Sequence, residues 1–126
     1  MIRTTLKSRT AIAALLCIFL LAVPAAFAHT HPVSMTPAAN STVAAPGSIT
    51  INFSGDLEPK FSSITVTNAS GKVVSVAKSV VSSTDAKVMT LALPKLPAGV
   101  YTVKWVAVSV DSHREKDSYK FTITAP

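Results

Sequence analysis

The chain has 126 residues, with 12 Lys and Arg against 6 Asp and Glu, three histidines and one cysteine. That length holds one hydrophobic core and not two. Three of the cations fall within the first nine residues and the rest are scattered without a Lys/Arg cluster, which argues against a nucleic-acid-binding surface.

The first element is not part of the folded domain. Arg3, Lys7 and Arg9 precede an apolar run, AIAALLCIFLLAV, that Pro24 interrupts before Ala26-Phe27-Ala28. A basic start, a compact apolar stretch and small residues at −3 and −1 make a secretory signal peptide, residues 1–28, cleaved after Ala28. The rival reading is a membrane anchor, but residues 11–28 reach only the minimum length of a span and contain a proline. A lipoprotein is disfavoured because Leu15-Leu16 precede Cys17, where a small residue is expected. Cleavage leaves residues 29–126 as a single domain. It removes the only cysteine, so the mature chain has no disulfide, thiolate ligand or thiol nucleophile. Nine cations then face six acids, a net charge of +3.

The remaining elements read as strands. SITINFS (48–54) alternates, with Ile49, Ile51 and Phe53 on one face. FSSITVTN (61–68) follows, then a turn at Ser70-Gly71. KVVSVAKSVV (72–81) reads as a third strand region, and KVMTLALP (87–94) puts Met89, Leu91 and Leu93 on one side. After the loop PKLPAG, VYTVKWVAVSV (100–110) aligns Tyr101, Val103, Trp105 and Ala107. DSYKFTITAP (117–126) aligns Tyr119, Phe121 and Ile123. β-branched residues pack well on a pleated sheet. Short strands at about ten-residue spacing with turn signals between them indicate an all-β antiparallel sandwich or small barrel.

Few residues can carry chemistry. The mature chain keeps His29, His31 and His113, and Asp111 stands two residues before His113. In a regular extended strand, Asp111 and His113 share the parity of Trp105 and Ala107, and so emerge together at one end of the barrel. A bulge breaks that expectation. The third group is the new N-terminus. Its α-amine and the His29 Nδ1 close a chelate ring, His113 adds a nitrogen and Asp111 an oxygen. Nitrogen-rich ligation suits Cu(II), which also tops the divalent affinity series. Zinc accepts such donors in a tetrahedral array. The amine, with a free pKa of roughly 8, must lose its proton to bind, so affinity weakens as pH falls.

Other readings stand beside this one. Asp-x-His at a strand end is commonly a polar turn, and a terminal histidine is commonly solvated. His31, at the third position of the mature chain, offers a second Cu(II) mode through the amine, two deprotonated amides and its own imidazole; the two modes compete for one amine. Glu58 reads as a loop carboxylate near the site or in solvent. Met35 and Met89 are too few for a thioether Cu(I) site, and Trp105 reads as core. Ser109 and Ser112 lack the nucleophile elbow of a hydrolase.

One pattern goes beyond spacing. Gly99, Tyr101, Val103, Trp105, Ser109, Asp111 and His113, followed by Ser118, Phe121 and Ile123, match in register a motif of the CopC/PcoC family, periplasmic copper-binding proteins. The chain resembles that family over the whole mature region. The resemblance implies a single Greek-key β-barrel or sandwich, immunoglobulin-like or cupredoxin-like. It implies one Cu(II) ion held by His29, Asp111 and His113; His31 stays a further candidate from its position alone. It implies a role in copper resistance or uptake, beside an inner-membrane CopD-type transporter; a carrier or buffer, monomeric and not an enzyme, is the reading adopted, since a 98-residue mature chain leaves little room for a substrate face and a carboxylate ligand suits storage better than oxygen activation. Where some members carry a Met-rich Cu(I) loop, residues 72–93 hold only Met89, so no Cu(I) site is expected. Ser118 replaces a frequent glycine. The alternatives are an immunoglobulin-like structural or adhesion module and a small histidine-brace copper monooxygenase.

Overall fold

The structure, a computed structural model, describes residues 29–126; the expected signal segment, 1–28, lies outside the described residues. Eight strands form two four-stranded sheets. In chain order they are β1 (Pro32–Thr36), β2 (Thr42–Val43), β3 (Ser48–Phe53), β4 (Ser63–Thr67), β5 (Val80–Val81), β6 (Val88–Ala92), β7 (Gly99–Val108) and β8 (Arg114–Ile123). One sheet runs β1-β3-β6-β5 and the other β2-β8-β7-β4. Every pairing is antiparallel except β2 with β8. No helix occurs among the described residues.

Period-two patterning explains how the sheets face each other. Ile49, Ile51 and Phe53 of β3 are buried, as are Met89 and Leu91 of β6. Opposite them lie Tyr101, Val103, Trp105 and Ala107 of β7 and Tyr119, Phe121 and Ile123 of β8. Phe53 and Trp105 meet edge to face across the two sheets, with ring centroids 5.4 Å apart. Burying an aliphatic or aromatic side chain of this kind contributes about 1.5–3 kcal/mol, which suffices here without a disulfide. Met89 is wholly inside this core and Met35 packs against it.

Three elements depart from the sequence expectation. Residues 72–81 form a strand only at Val80–Val81. The stretch before them crosses the open edge of β4, where the Ile64 and Val66 amides donate to the Ser79 and Ser75 hydroxyls. Val73, Val76 and Val80 consequently face outward. Valine-rich composition favoured a strand, but serine side chains satisfy the β4 amides and stand in for a paired backbone. β1, which carries Pro32 and mostly exposed residues, had no apolar alternation to reveal it; pairing with β3 creates it, with a register shift between Pro32 and Ser34. Finally, β7 stops at Val108 rather than Val110 and β8 starts at Arg114 rather than Asp117, so the hairpin between them is tight.

Candidate metal centre

That hairpin forms one wall of the site. The Ser112 amide donates to the Ser109 carbonyl (2.9 Å), and the Ser109 amide donates to the His113 carbonyl (2.9 Å). Ser112 adopts a left-handed φ of 71°. This is a three-residue hairpin loop closed by a left-handed residue, a position that glycine fills most readily. The expectation that Asp111 and His113 continue the regular pleat of β7 is therefore overturned: Val108 and Ser109 are both buried, so the inside-outside alternation already fails there. The pair is brought together locally instead. Asp111 Oδ2 lies 3.0 Å from His113 Nδ1, and Asp111 Oδ1 accepts both the Ser109 hydroxyl and, at 3.3 Å, the His113 amide. The Ser109 hydroxyl first, then the His113 ring and the His113 amide, hold the Asp111 carboxyl down to about 2, against an ordinary 3.8. Asp111 is thus an anion throughout the neutral range.

The N-terminal segment forms the facing wall. The His31 amide donates to Ser54 Oγ (3.0 Å), and the His31 carbonyl accepts the Ser54 amide (2.9 Å). Thr30 is buried against Gly55, where a Cβ would come within 2.8 Å of Thr30 Oγ1. These contacts pin residues 30 and 31 to the end of β3 and deliver His29 to the hairpin. Its ring stands 5.8 Å from the ring of His113, nearly perpendicular to it. His29 Nδ1 lies 2.8 Å from Glu115 Oε1 on β8. A small cavity of about 190 Å³ opens between the walls, lined by His29, Thr30, Gly55, Asp56, Asp111 and His113 among others. A larger hollow of about 490 Å³ lies at the opposite end, around Leu96–Ala98 and the chain end; it has no His, Asp or Glu in its lining.

The sequence-selected residues divide accordingly. His29, Asp111 and His113 converge on one end of the sandwich. His31 does not join them: it is exposed, and its Nδ1 lies 2.9 Å from the His29 carbonyl and 3.2 Å from Ser54 Oγ. Glu58 helps anchor the loop after β3, its amide donating to the Val108 carbonyl, and it does not line the cavity. Among the described residues, no three His, Cys, Asp or Glu side chains stand as a group around one point. The groups stand instead as two pairs, Glu115 at His29 Nδ1 and Asp111 at His113 Nδ1. Sequence reasoning missed Glu115, Asp56 and the Thr30–Gly55 contact. Glu115 was within reach, since an extended strand through Arg114 places it on the same side as His113 two residues earlier.

Comparison with known proteins agrees with this architecture. Residues 32–124 match the family described as the CopC domain. The copper resistance protein C of Escherichia coli is 42% identical over 106 residues, covering 78% of this chain and 83% of that protein. Protein YobA of Escherichia coli K12 is 37% identical over 105 residues, 82% of this chain and 85% of that one. The crystal structure of CopC from Methylosinus trichosporium OB3b superposes with a TM-score of 0.73 at 34% identity, covering 77% of this chain and 95% of that chain. A match this long, at these identities and on the same two-sheet frame, establishes that the chain belongs to the CopC family.

Proposed function

We propose that the protein, cut after Ala28, is a periplasmic Cu(II) carrier or buffer in copper resistance or homeostasis, binding one ion through His29, Asp111 and His113. The observation that carries the reading is the meeting of two imidazoles, from opposite walls, over a small cavity with an ionised carboxylate beside one of them. The family's named members include copper resistance proteins, which points to the same cargo. In the cut chain His29 gains a free amine. The amine and Nδ1 of His29 would then close a chelate ring on the ion, and His113 and Asp111 would complete the set. Such nitrogen-rich donors favour Cu(II).

The rival tripeptide mode through His31 needs the Thr30 and His31 amides to wrap around the metal. Here the His31 amide is engaged by Ser54 and Thr30 is buried, so that mode requires the segment to peel away from Gly55. A carrier also fits the site better than a monooxygenase, because a shallow cavity of this size leaves little room to bind a substrate beside the metal. An inner-membrane CopD-type transporter is the partner that this reading carries with it, in either direction of copper flow.

The test is a Cu(II) titration of protein beginning at His29. Tight 1:1 binding lost in His113→Ala and kept in His31→Ala is the expected result. Loss in His31→Ala with His113→Ala unaffected assigns binding to the tripeptide, and no tight binding at neutral pH refutes the reading.

A further inference from the structure

The carboxylate of Glu115 has no place in the ligand set above, yet it makes the closest polar contact of the His29 ring. Its chemistry constrains that ring. A carboxylate at neutral pH only accepts hydrogen bonds, so at 2.8 Å from Glu115 Oε1 the His29 Nδ1 carries the proton. A neutral imidazole has one proton, and Nε2 then holds the lone pair. The backbone on each side of the contact is held by the fold. Glu115 sits in β8 in register with Ala107, and residues 30 and 31 are anchored at Gly55 and Ser54, so both partners are carried on pinned backbone.

We propose that Glu115 is a positioning residue that decides which nitrogen of His29 meets a metal: while residue 28 remains attached, the Glu115 bond keeps Nδ1 protonated and presents Nε2, and only the amine freed by cleavage shifts His29 to Nδ1 chelation. With the amine tied up in a peptide bond, Nδ1 offers no chelate ring. Nε2 is then the better donor, because a carboxylate on the opposite ring nitrogen orients the ring and raises its basicity. After cleavage, the proton would leave Nδ1 for Nε2, the bond to Glu115 would be given up, and Nδ1 and the freed amine would together be able to hold the metal. Glu115 therefore strengthens the site before processing and contributes little to it afterwards. This inference rests on the copper reading of the site.

The experiment compares two forms of the domain, one starting at His29 and one retaining Ala28. The match to the crystal structure of CopC spans 95% of that chain and 77% of this one, about the length of residues 29–126, which supports working with the domain without the leader. In the metal-free Ala28 form, ring ¹⁵N shifts should report a proton on His29 Nδ1, and Glu115→Gln should move the population toward Nε2–H. With Cu(II) alone as probe against a competing chelator, Glu115→Gln should weaken binding about tenfold in the Ala28 form, as loss of a ligand's outer partner does. In the His29-start form the same change should shift affinity by less than about threefold. A His29 proton on Nε2 in the unsubstituted protein overturns the proposal, as does an equal loss of affinity in both forms. Failure of the His29-start form to bind Cu(II) refutes the carrier reading itself; binding there with an Ala28 form indifferent to Glu115→Gln refutes this inference alone.

Discussion

Gly55→Ala is the substitution that tests most directly how the site is assembled. Gly55 does not have a left-handed φ, so alanine is compatible with its backbone; what excludes a side chain is space. An added Cβ falls 2.8 Å from Thr30 Oγ1 and 3.9 Å from Thr30 Cβ. Ordinary contact needs several tenths of an ångström more. Thr30 has little room to yield, being buried and β-branched, with a stiff χ1. Its neighbour His31 is tied to Ser54 through both amide and carbonyl, so sliding the segment sacrifices those bonds, at about 0.5–1.5 kcal/mol each. Overpacking of this kind costs about 1–3 kcal/mol. For a domain of this size that lowers Tm by about 5–15 °C. Because His29 adjoins Thr30, displacement also moves its ring off the hairpin, and Cu(II) affinity of protein starting at His29 should fall about tenfold, roughly 1.4 kcal/mol. Thr30→Ala removes the offending oxygen, so the double variant should recover most of the Tm loss, a coupling of about 1 kcal/mol in a double-mutant cycle. A Gly55→Ala protein with wild-type Tm and affinity, or a double variant whose losses simply add, refutes the argument.

Three further outcomes follow from specific contacts. Ser109→Ala removes the foremost cause of the lowered Asp111 carboxyl, so its pKa should climb from about 2 toward 3.8, read by carboxyl ¹³C shifts. The sign is that of a depressed acid: the stabilisation from ionised Asp111 is present above pH of about 4 and lost as pH falls toward 2, and the variant should lose that part of its acid dependence. The Tyr119 hydroxyl is buried with no hydrogen-bond partner among the described residues, and burial pushes its pKa up to about 12. Tyr119→Phe should therefore keep or raise Tm, and the pH-driven loss of stability between about 10 and 12 should shrink; a drop of more than about 1 kcal/mol in urea unfolding contradicts this. Ser112→Gly relieves a left-handed residue, worth about 1–2 kcal/mol, against the added freedom of the unfolded chain, about 0.5–1 kcal/mol. A net gain of about 0.5–1 kcal/mol, with a loss in Ser112→Val, is expected by thermal unfolding.

Much of this molecule is legible in its sequence because the physics involved is local. Alternation in β3, β6, β7 and β8 fixes which side chains are buried, since neighbours along a strand point to opposite faces whatever the partner. The chemical candidates were legible too, because so few residues in the mature chain can bind a metal: His29, Asp111 and His113 stood out by scarcity and by a motif in register. What tertiary structure decided is everything that depends on a distant partner. β1 exists because β3 pairs with it, and residues 73–79 avoid becoming a strand because Ser75 and Ser79 meet the edge of β4. Asp111 and His113 reach the site through a tight turn and their own hydrogen bonds, where parity had placed them on a regular pleat. His31, equal to His29 in sequence, is drawn aside by Ser54, while Glu115, which parity alone places only on the side of His113, closes on His29. Residue types and short periods state which groups are available, and only packing of the two sheets determines which of them stand within hydrogen-bond reach.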